Sequence, residues 1–184
     1  EELGDVSPVV FIPVAEETGL IIPISNWVLN TAFSTLKEWQ SEYGFSGVLS
    51  VNISPTHLKQ ESFISDITTL IEQYKLDPHS IEIEITEGIM IDNMEDAVAK
   101  LKHLKQLGFR ISLDDFGTGY SSLAYLGELQ VDAIKIDKAF TRTVGDETGT
   151  VSIVPQIIAM AHQHGLGIVV EGIETEAQVR CLRD

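Results

Sequence analysis

The sequence has little cysteine and few basic residues, and both shortages restrict what the protein can do. Cys181 is the only cysteine among 184 residues, so no disulfide can form within the chain, which fits a reducing compartment. Only 12 Lys and Arg side chains stand against 28 Asp and Glu, which gives a formal net charge of −16. This charge repels DNA, RNA and anionic lipid, so we expect no nucleic-acid polymer as a partner. A small anionic ligand is compatible with the chain only where a local cation receives it.

Long apolar runs are also lacking. No stretch of the sequence is long enough to cross a bilayer, and the start shows no signal-peptide pattern. We therefore expect a cytoplasmic protein, or the cytoplasmic part of a membrane-anchored parent. Hydrophobic residues make up 43% and charged residues 22%, as in ordinary globular domains. Because no low-complexity linker divides the chain, we predict one domain over residues 1–184.

Apolar periodicity predicts helices and strands that alternate through most of the chain. Two helices come first, at about residues 8–18 and 25–43, and we expect Trp27, Phe33 and Trp39 to pack in the core. Strands follow at about residues 48–52, 81–85, 109–113, 131–136 and 166–170, with helices at about 55–74, 92–107, 151–164 and 174–182. This alternation predicts a parallel sheet in an α/β fold, which is either open and doubly wound or closed as a barrel.

The end of each predicted strand carries a polar side chain, and these residues are Asn52, Glu84, the pair Asp114 and Asp115, Lys135 and Glu171. They recur at intervals close to the roughly 30 residues of one βαβ unit. In a barrel the carboxyl ends of the strands meet at one mouth, so this pattern favours the barrel over the open sheet. Carboxylates gathered there would repel one another unless cations compensate their charge.

The oxygen donors in this set indicate a hard divalent cation. Carboxylates and an Asn carbonyl suit magnesium, manganese or calcium better than zinc. The adjacent Asp114 and Asp115 could serve two ions, and two-metal sites support in-line displacement at phosphorus. Lys135 fits as a cation beside the attacking water. The sequence therefore favours metal-dependent cleavage of a phosphodiester.

Less specific explanations exist for each residue taken alone. An acidic residue at a strand end is most often a helix cap or a solvated loop charge, and Lys135 alone could be an exposed ion-pair partner. A glycosidase-type barrel with paired carboxylates is a further alternative, because it needs two carboxylates on different strands and no metal. The adjacency of Asp114 and Asp115 and the additional oxygen donors argue against it.

Six ordered motifs make the pattern more specific. Residues 114–122 read DDFGTGYSS, and this segment resembles the corresponding loop of the EAL domain family, which hydrolyses cyclic di-GMP. The stretches FIPVAEETG, VNIS, EITE, KID and EGIET, which begin at Phe11, Val51, Glu84, Lys135 and Glu171, also resemble the family's motifs in order. The resemblance implies a TIM-like (β/α)8 barrel that is incomplete in this chain. The strands with the namesake Glu-Ala-Leu motif would precede residue 1, and a final strand would follow residue 184.

The resemblance also implies roles for residues at the mouth of the barrel. Two Mg²⁺ or Mn²⁺ ions would be held by a ligand set of Asn52, Glu84, Asp114, Asp115 and Glu171. Lys135 would position the water, and Glu171 and Glu174 would complete the catalytic group. Metal-activated hydroxide would then cut one phosphodiester bond of cyclic di-GMP to give linear pGpG.

The loop over residues 115–122 has a separate implied role. Its anchors would be Thr86, Glu87, Phe116 and Gly117, and it would couple metal and substrate binding to homodimerisation. Sensor or GGDEF domains would be partners within a longer parent protein. A catalytically inactive EAL domain that acts as a cyclic di-GMP receptor is the alternative, although the intact ligand types from Asn52 to Glu171 favour the enzyme.

Overall fold

Helices and strands alternate along the chain as the periodicity predicts. The structure, a computed structural model, describes residues 4–90, 94–117, 126–141, 144 and 153–183. Its strands are β1 (Leu49–Ile53), β2 (Ile81–Thr86), β3 (Arg110–Phe116), β4 (Ala133–Ile136) and β5 (Gly167–Val170). Its α-helices are α1 (Pro8–Thr18), α2 (Ile21–Tyr43), α3 (Pro55–Leu58), α4 (Phe63–Tyr74), α5 (Met94–Leu107), α6 (Leu126–Leu129), α7 (Lys138–Thr141), α8 (Val154–Gln163) and α9 (Glu176–Arg183). Short 3₁₀ turns occupy Pro78–Ser80 and Glu87–Met90.

The described strands form one parallel sheet in the order β1-β2-β3-β4-β5. Each strand pairs with the next one along the chain, and the order never reverses. A doubly wound sheet reverses its order at a switch point, whereas a (β/α)8 barrel adds its strands in sequence. The sheet is therefore part of a barrel, which is the arrangement that the polar strand ends favoured.

The hydrophobic core lies between one face of the sheet and the helices that cover it. On β2, Ile81, Ile83 and Ile85 are fully buried, and they belong to the same cluster as Phe33 of α2 and Leu101 of α5. Fully burying one such side chain contributes roughly 1.5–3 kcal/mol. The alternate residues of the strands face the other side of the sheet, where the polar site is built.

Two predicted helices differ from the structure. The predicted helix at 55–74 is two helices, because α3 ends at Leu58 and α4 begins at Phe63. The helix predicted from residue 25 begins at Ile21 instead. Its two tryptophans were wrongly expected in the core: Trp27 is 68% and Trp39 is 40% exposed, whereas Phe33 is buried. Helical spacing identifies the buried stripe, but the burial of residues at its margins depends on which elements cover them.

No single helix in the described part of the chain has both the length and the apolar composition needed to cross a membrane. Helices α1 and α2 have this length and composition only when they are taken together, and the chain bends by 119° at the break between them.

Candidate active site

The predicted site residues come together because the strands are in parallel register. Asn52 on β1 pairs with Glu84 on β2, and Thr86 two residues later pairs with Asp114 on β3. Side chains two residues apart on a strand share a face, so these polar groups point to the same side of the sheet. Glu84 is buried at 6% exposure, whereas Asn52 is exposed. The carboxyl ends of the strands therefore form the acidic edge that the sequence predicts.

Lys135 of β4 lies at the centre of this edge. Its Nζ is 3.1 Å from Glu84 Oε2, 3.3 Å from Asp114 Oδ1 and 2.9 Å from Glu171 Oε1. Burial opposes the charge of Lys135, but hydrogen bonds to Glu171 and Glu84 and the charges of Glu84 and Asp114 outweigh it, so the pKa of Lys135 is raised. Lys135 is therefore a fixed cation that brings three carboxylates together from three different elements.

Glu171 reaches this cluster from the loop that follows β5. Its backbone N–H donates to the carbonyl of Ile136 at 3.0 Å, which continues the pairing of β5 with β4 beyond the last strand residue. Because this bond fixes the backbone beside Lys135, the Glu171 carboxylate can meet the ammonium. Glu174, three residues later, is exposed at the rim, and the structure places its side chain in none of these ion pairs.

The Asp114 and Asp115 pair lies inside a strand and not after it. We predicted that β3 ends at residue 113, but it continues to Phe116, with an irregular register between Leu113 and Phe116. Asp115 has a positive φ of 54°, and its N–H donates to Asp114 Oδ1 at 3.0 Å. This bulge turns the Asp115 side chain away from strict alternation, so two adjacent carboxylates can serve one edge. Burial and then the negative charges of Asp114, Asp137 and Glu171 raise the pKa of Asp115.

The start of the loop after β3 is tied to the end of β2. Glu87 is buried, and its Oε1 accepts a hydrogen bond of 2.9 Å from the N–H of Gly117. Phe116 is buried beside it, and Thr86 pairs in register with Asp114. Residues 118–122 lie outside the described residues, so coupling of this loop to a dimer stays a prediction.

Sequence reasoning missed two polar groups near the site. Glu82 lies two residues before Glu84, and its Oε1 accepts hydrogen bonds from Ser50 at 3.2 Å and from Ser112 at 3.1 Å. Strict alternation in β2 could have placed Glu82 on the face of Glu84. Gln178 of α9 bonds the backbone of the loop that carries Glu174. Its sequence signal is the capping-box spacing from Thr175 to Gln178.

The donor set fits hard divalent cations by its chemistry. Four carboxylates and one amide oxygen lie along this edge, and Lys135 supplies one positive charge against them. In the described residues, however, no three acidic, His or Cys side chains are already spaced to hold a metal ion. The carboxylates of Glu84, Asp114 and Glu171 converge on the Lys135 ammonium instead. They would have to turn toward an ion, and the excess negative charge favours such an ion.

The sheet order and this cluster define an α/β-barrel domain with an acidic site at the carboxyl ends of its strands. The chain belongs to the EAL domain family, which matches residues 1–184. It is 37% identical over 174 residues to a cyclic di-GMP phosphodiesterase of Pseudomonas aeruginosa, PA2567, covering 95% of this chain and 30% of that protein. It is 34% identical over 174 residues to the cyclic di-GMP phosphodiesterase PdeR of Escherichia coli, covering 95% of this chain and 26% of PdeR.

A solved structure has the same fold. The PaMucR phosphodiesterase in complex with c-di-GMP matches with a TM-score of 0.88 and 34% identity, covering 97% of this chain and 72% of that one. The fold is thus the TIM-like barrel of the EAL type, as predicted, and the described residues supply five of its strands. The chain spans only about 21–30% of the length of the curated relatives compared with it.

Proposed function

We propose that this chain is the catalytic part of a phosphodiesterase specific for cyclic di-GMP, which gives linear pGpG and depends on two Mg²⁺ or Mn²⁺ ions. The observation that carries the proposal is the convergence of Glu84, Asp114 and Glu171 on Lys135 at the carboxyl ends of adjacent strands. We propose cyclic di-GMP as the substrate because PA2567 and PdeR are cyclic di-GMP phosphodiesterases and the PaMucR structure contains c-di-GMP.

The ions would be held by a donor set of Asn52, Glu84, Asp114, Asp115 and Glu171. When bound, they would supply the positive charge that receives an anionic phosphate on an acidic chain, and they would acidify water. Burial and then the neighbouring negative charges raise the pKa of Asp115, and the bound ions would offset the repulsion from those charges.

Lys135 would act on the attacking water and on the charge that develops at phosphorus. Its ammonium lies within 3.3 Å of three carboxylates. Those carboxylates would turn toward the ions, and the N–H donors that they release would then hold a water oxygen in one position. Because its pKa is raised, it would donate hydrogen bonds and stabilise negative charge, and it would not remove a proton. Glu174 at the exposed rim would contact the bound substrate or its metal shell.

A product assay tests this function. The full-length protein would be incubated with cyclic di-GMP and Mg²⁺, and pGpG would be measured by chromatography with and without a chelator. We expect pGpG only where free metal is present, and restoration after Mn²⁺ is added back in excess. Tight binding of cyclic di-GMP without any pGpG would instead establish the receptor alternative. Cleavage that persists in chelator would exclude the metal-dependent mechanism.

Homodimerisation through residues 115–122 belongs to the same proposal. Glu87 directly follows β2 and accepts a hydrogen bond from the N–H of Gly117, so a shift of β2 would move the beginning of this loop. Sedimentation velocity with cyclic di-GMP and Mg²⁺ present should then detect a dimer. A monomer at all protein concentrations tested would remove the dimer from the proposal.

A further inference from the structure

The loop that follows β5 is held by one side chain from the helix after it. Gln178 Oε1 accepts hydrogen bonds from the backbone N–H of Glu174 at 2.9 Å and of Thr175 at 3.0 Å. The hydroxyl of Thr175 accepts in turn from the N–H of Gln178 at 3.2 Å. The exchange between Thr175 and Gln178 is a capping box, which satisfies free backbone donors at the start of α9. The bond from the N–H of Glu174 is additional to that motif.

The same amide also reaches across to another element. Gln178 Nε2 donates to the carbonyl of Thr141 at 3.1 Å. Thr141 is the last residue of α7, the short helix that begins two residues after β4 ends. A residue that served only to cap α9 would not need this bond. Both ends of the Gln178 amide are thus used, one on the β5 loop and the other on α7.

The loop and α7 are also packed closely at a second point. Gly172 has a positive φ of 69°, and a Cβ built on it would lie 2.5 Å from Lys138 Cβ. The buried hydroxyl of Thr141 bonds the carbonyl of Lys138 at 3.0 Å and that of Gly172 at 3.4 Å. The Gln178 amide therefore closes a contact in which the Gly172 backbone lies against Lys138 and Thr141, with no room for a side chain on Gly172.

This contact joins the two supports of the Lys135–Glu171 pair. Lys135 is carried by β4, which leads into α7, and Glu171 is carried by the loop after β5. Their charged groups are 2.9 Å apart. A shift of the loop by about 1 Å would lengthen this pair and would move Glu174 at the rim, and displacements of that size can lower a catalytic rate by about 100-fold.

We propose that Gln178 is a positioning residue, which holds the Glu171–Thr175 loop against α7 and so sets the position of Glu171 and Glu174 over the site. In the described residues, the Gln178 side chain bonds the backbone of this loop and the backbone of α7, and it makes no bond to Glu171 or Glu174 side chains. It therefore acts through the two glutamates. The inference about the reaction rests on the proposed phosphodiesterase function, whereas the bracing of the loop does not.

The test replaces Gln178 by Met, which keeps the length of the side chain and removes every hydrogen bond of the amide. Gln178→Glu keeps an oxygen that accepts from Glu174 and Thr175 but loses the donor to Thr141. Gln163→Met is the matched control, because Gln163 is an exposed residue at the end of α8, which leads into the opposite end of β5. Each variant of the full-length protein would be assayed for pGpG formation and for backbone amide exchange over residues 172–178.

We expect Q178M to speed amide exchange at Glu174 and Thr175. It should lower kcat by about tenfold or more and change KM by less than about threefold, since the lost contact orients groups and does not bind substrate. Q178E should keep the slow exchange at Glu174 and Thr175, but it loses the donor to Thr141 and should therefore lower kcat about as much as Q178M. An unchanged kcat in Q178E would show that the bond to α7 is not needed. Q163M should match the unaltered protein in both measurements.

Three results would decide against the proposal or separate it from the proposed function. Unchanged amide exchange in Q178M would show that Gln178 does not hold the Glu171–Thr175 loop against α7. Faster exchange with an unchanged kcat overturns the link to the reaction. If the unaltered protein makes no pGpG, the proposed phosphodiesterase function has failed and the link to the reaction with it. The amide exchange would then still test whether Gln178 holds the loop.

Discussion

Replacing Lys135 by Met should leave three converging carboxylates without their cation. At the observed separations of 2.9–3.3 Å, each ion pair is worth about 5 kcal/mol before desolvation, for an effective dielectric constant of roughly 20. Breaking a buried pair by removing one partner costs about 3–5 kcal/mol after desolvation is included. The Lys135 side chain is 14% exposed, but that of Glu171 is 38% exposed and reached by water, so we expect about 3 kcal/mol.

Urea unfolding of the full-length protein at neutral pH, with a chelator present, measures this cost. A loss of about 3 kcal/mol shifts the midpoint by roughly 1–2 M for ordinary urea dependences. Lys102→Met is the control, because Lys102 is an exposed residue of α5 with a side chain of the same type. Adding Mn²⁺ should narrow the difference between K135M and the unaltered protein, because the ions would supply the missing charge.

The rate of cyclic di-GMP hydrolysis by the same variant tests the role of Lys135 independently of stability. K135M should lose activity by 100-fold or more while still binding Mn²⁺, because Lys135 is proposed to orient water and not to hold the ion. If K135M and K102M unfold within about 0.5 kcal/mol of each other in chelator, the carboxylates do not depend on Lys135, and the reasoning from these three distances is refuted.

Three further predictions follow from single residues. Glu84→Gln should weaken Mn²⁺ binding and abolish pGpG formation together, measured by calorimetry and the product assay; unchanged Mn²⁺ affinity would remove Glu84 from the ligand set. Gly172→Ala should cost about 2–3 kcal/mol in urea unfolding, from its positive φ and its overlap with a side chain of α7. Gly165→Ala, at a φ of 71° with open space around it, should cost only about 1 kcal/mol, so equal losses would contradict the overlap. His57 is buried, its Nδ1 has no hydrogen-bond partner in the described residues, and burial lowers its pKa despite the opposing charge of Asp66 on α4. Protonation therefore favours the unfolded chain, and stability should fall as pH drops below about 6.5, by up to about 2 kcal/mol at pH 5. His57→Leu should flatten this part of the unfolding profile, and an unchanged pH dependence would show that His57 is not its source.

Alternation and spacing were sufficient to predict the strands and the edge at which the site lies. The strict pattern of Ile81, Ile83 and Ile85 predicted a strand with one buried face, and the structure has those residues fully buried. The same parity places Glu84 on the other face. Because parallel strands align their carboxyl ends, the polar residues of successive units had to share one edge.

The bulge in β3 was not predictable from that parity. Alternation predicts that Asp114 and Asp115 point to opposite faces, and the predicted strand ends at Leu113. The positive φ of Asp115 and the irregular register to β4 allow the strand to continue to Phe116. Such a bulge depends on pairing with neighbouring strands, so a single strand's sequence carries little sign of it.

The exposure of Trp27 and Trp39 shows a similar limit. Both lie on α2, whose buried stripe of Leu29, Phe33 and Leu36 follows helical spacing as predicted. The tryptophans flank that stripe, and their burial depends on which elements cover the margins of the helix. Periodicity gives the direction of a stripe, whereas its width is a property of tertiary packing.

The sequence by itself determined the residue types at the strand ends, the parallel α/β architecture and the family to which the chain belongs. These depend on local periodicity and on the order of short motifs, both of which are written along the chain. Only the tertiary structure decided that Glu84, Asp114 and Glu171 meet on Lys135, and that Gln178 ties the β5 loop to α7. Those contacts join residues far apart in sequence, and their distances depend on strand register, a bulge and the close approach of Gly172 to α7, which no local pattern specifies.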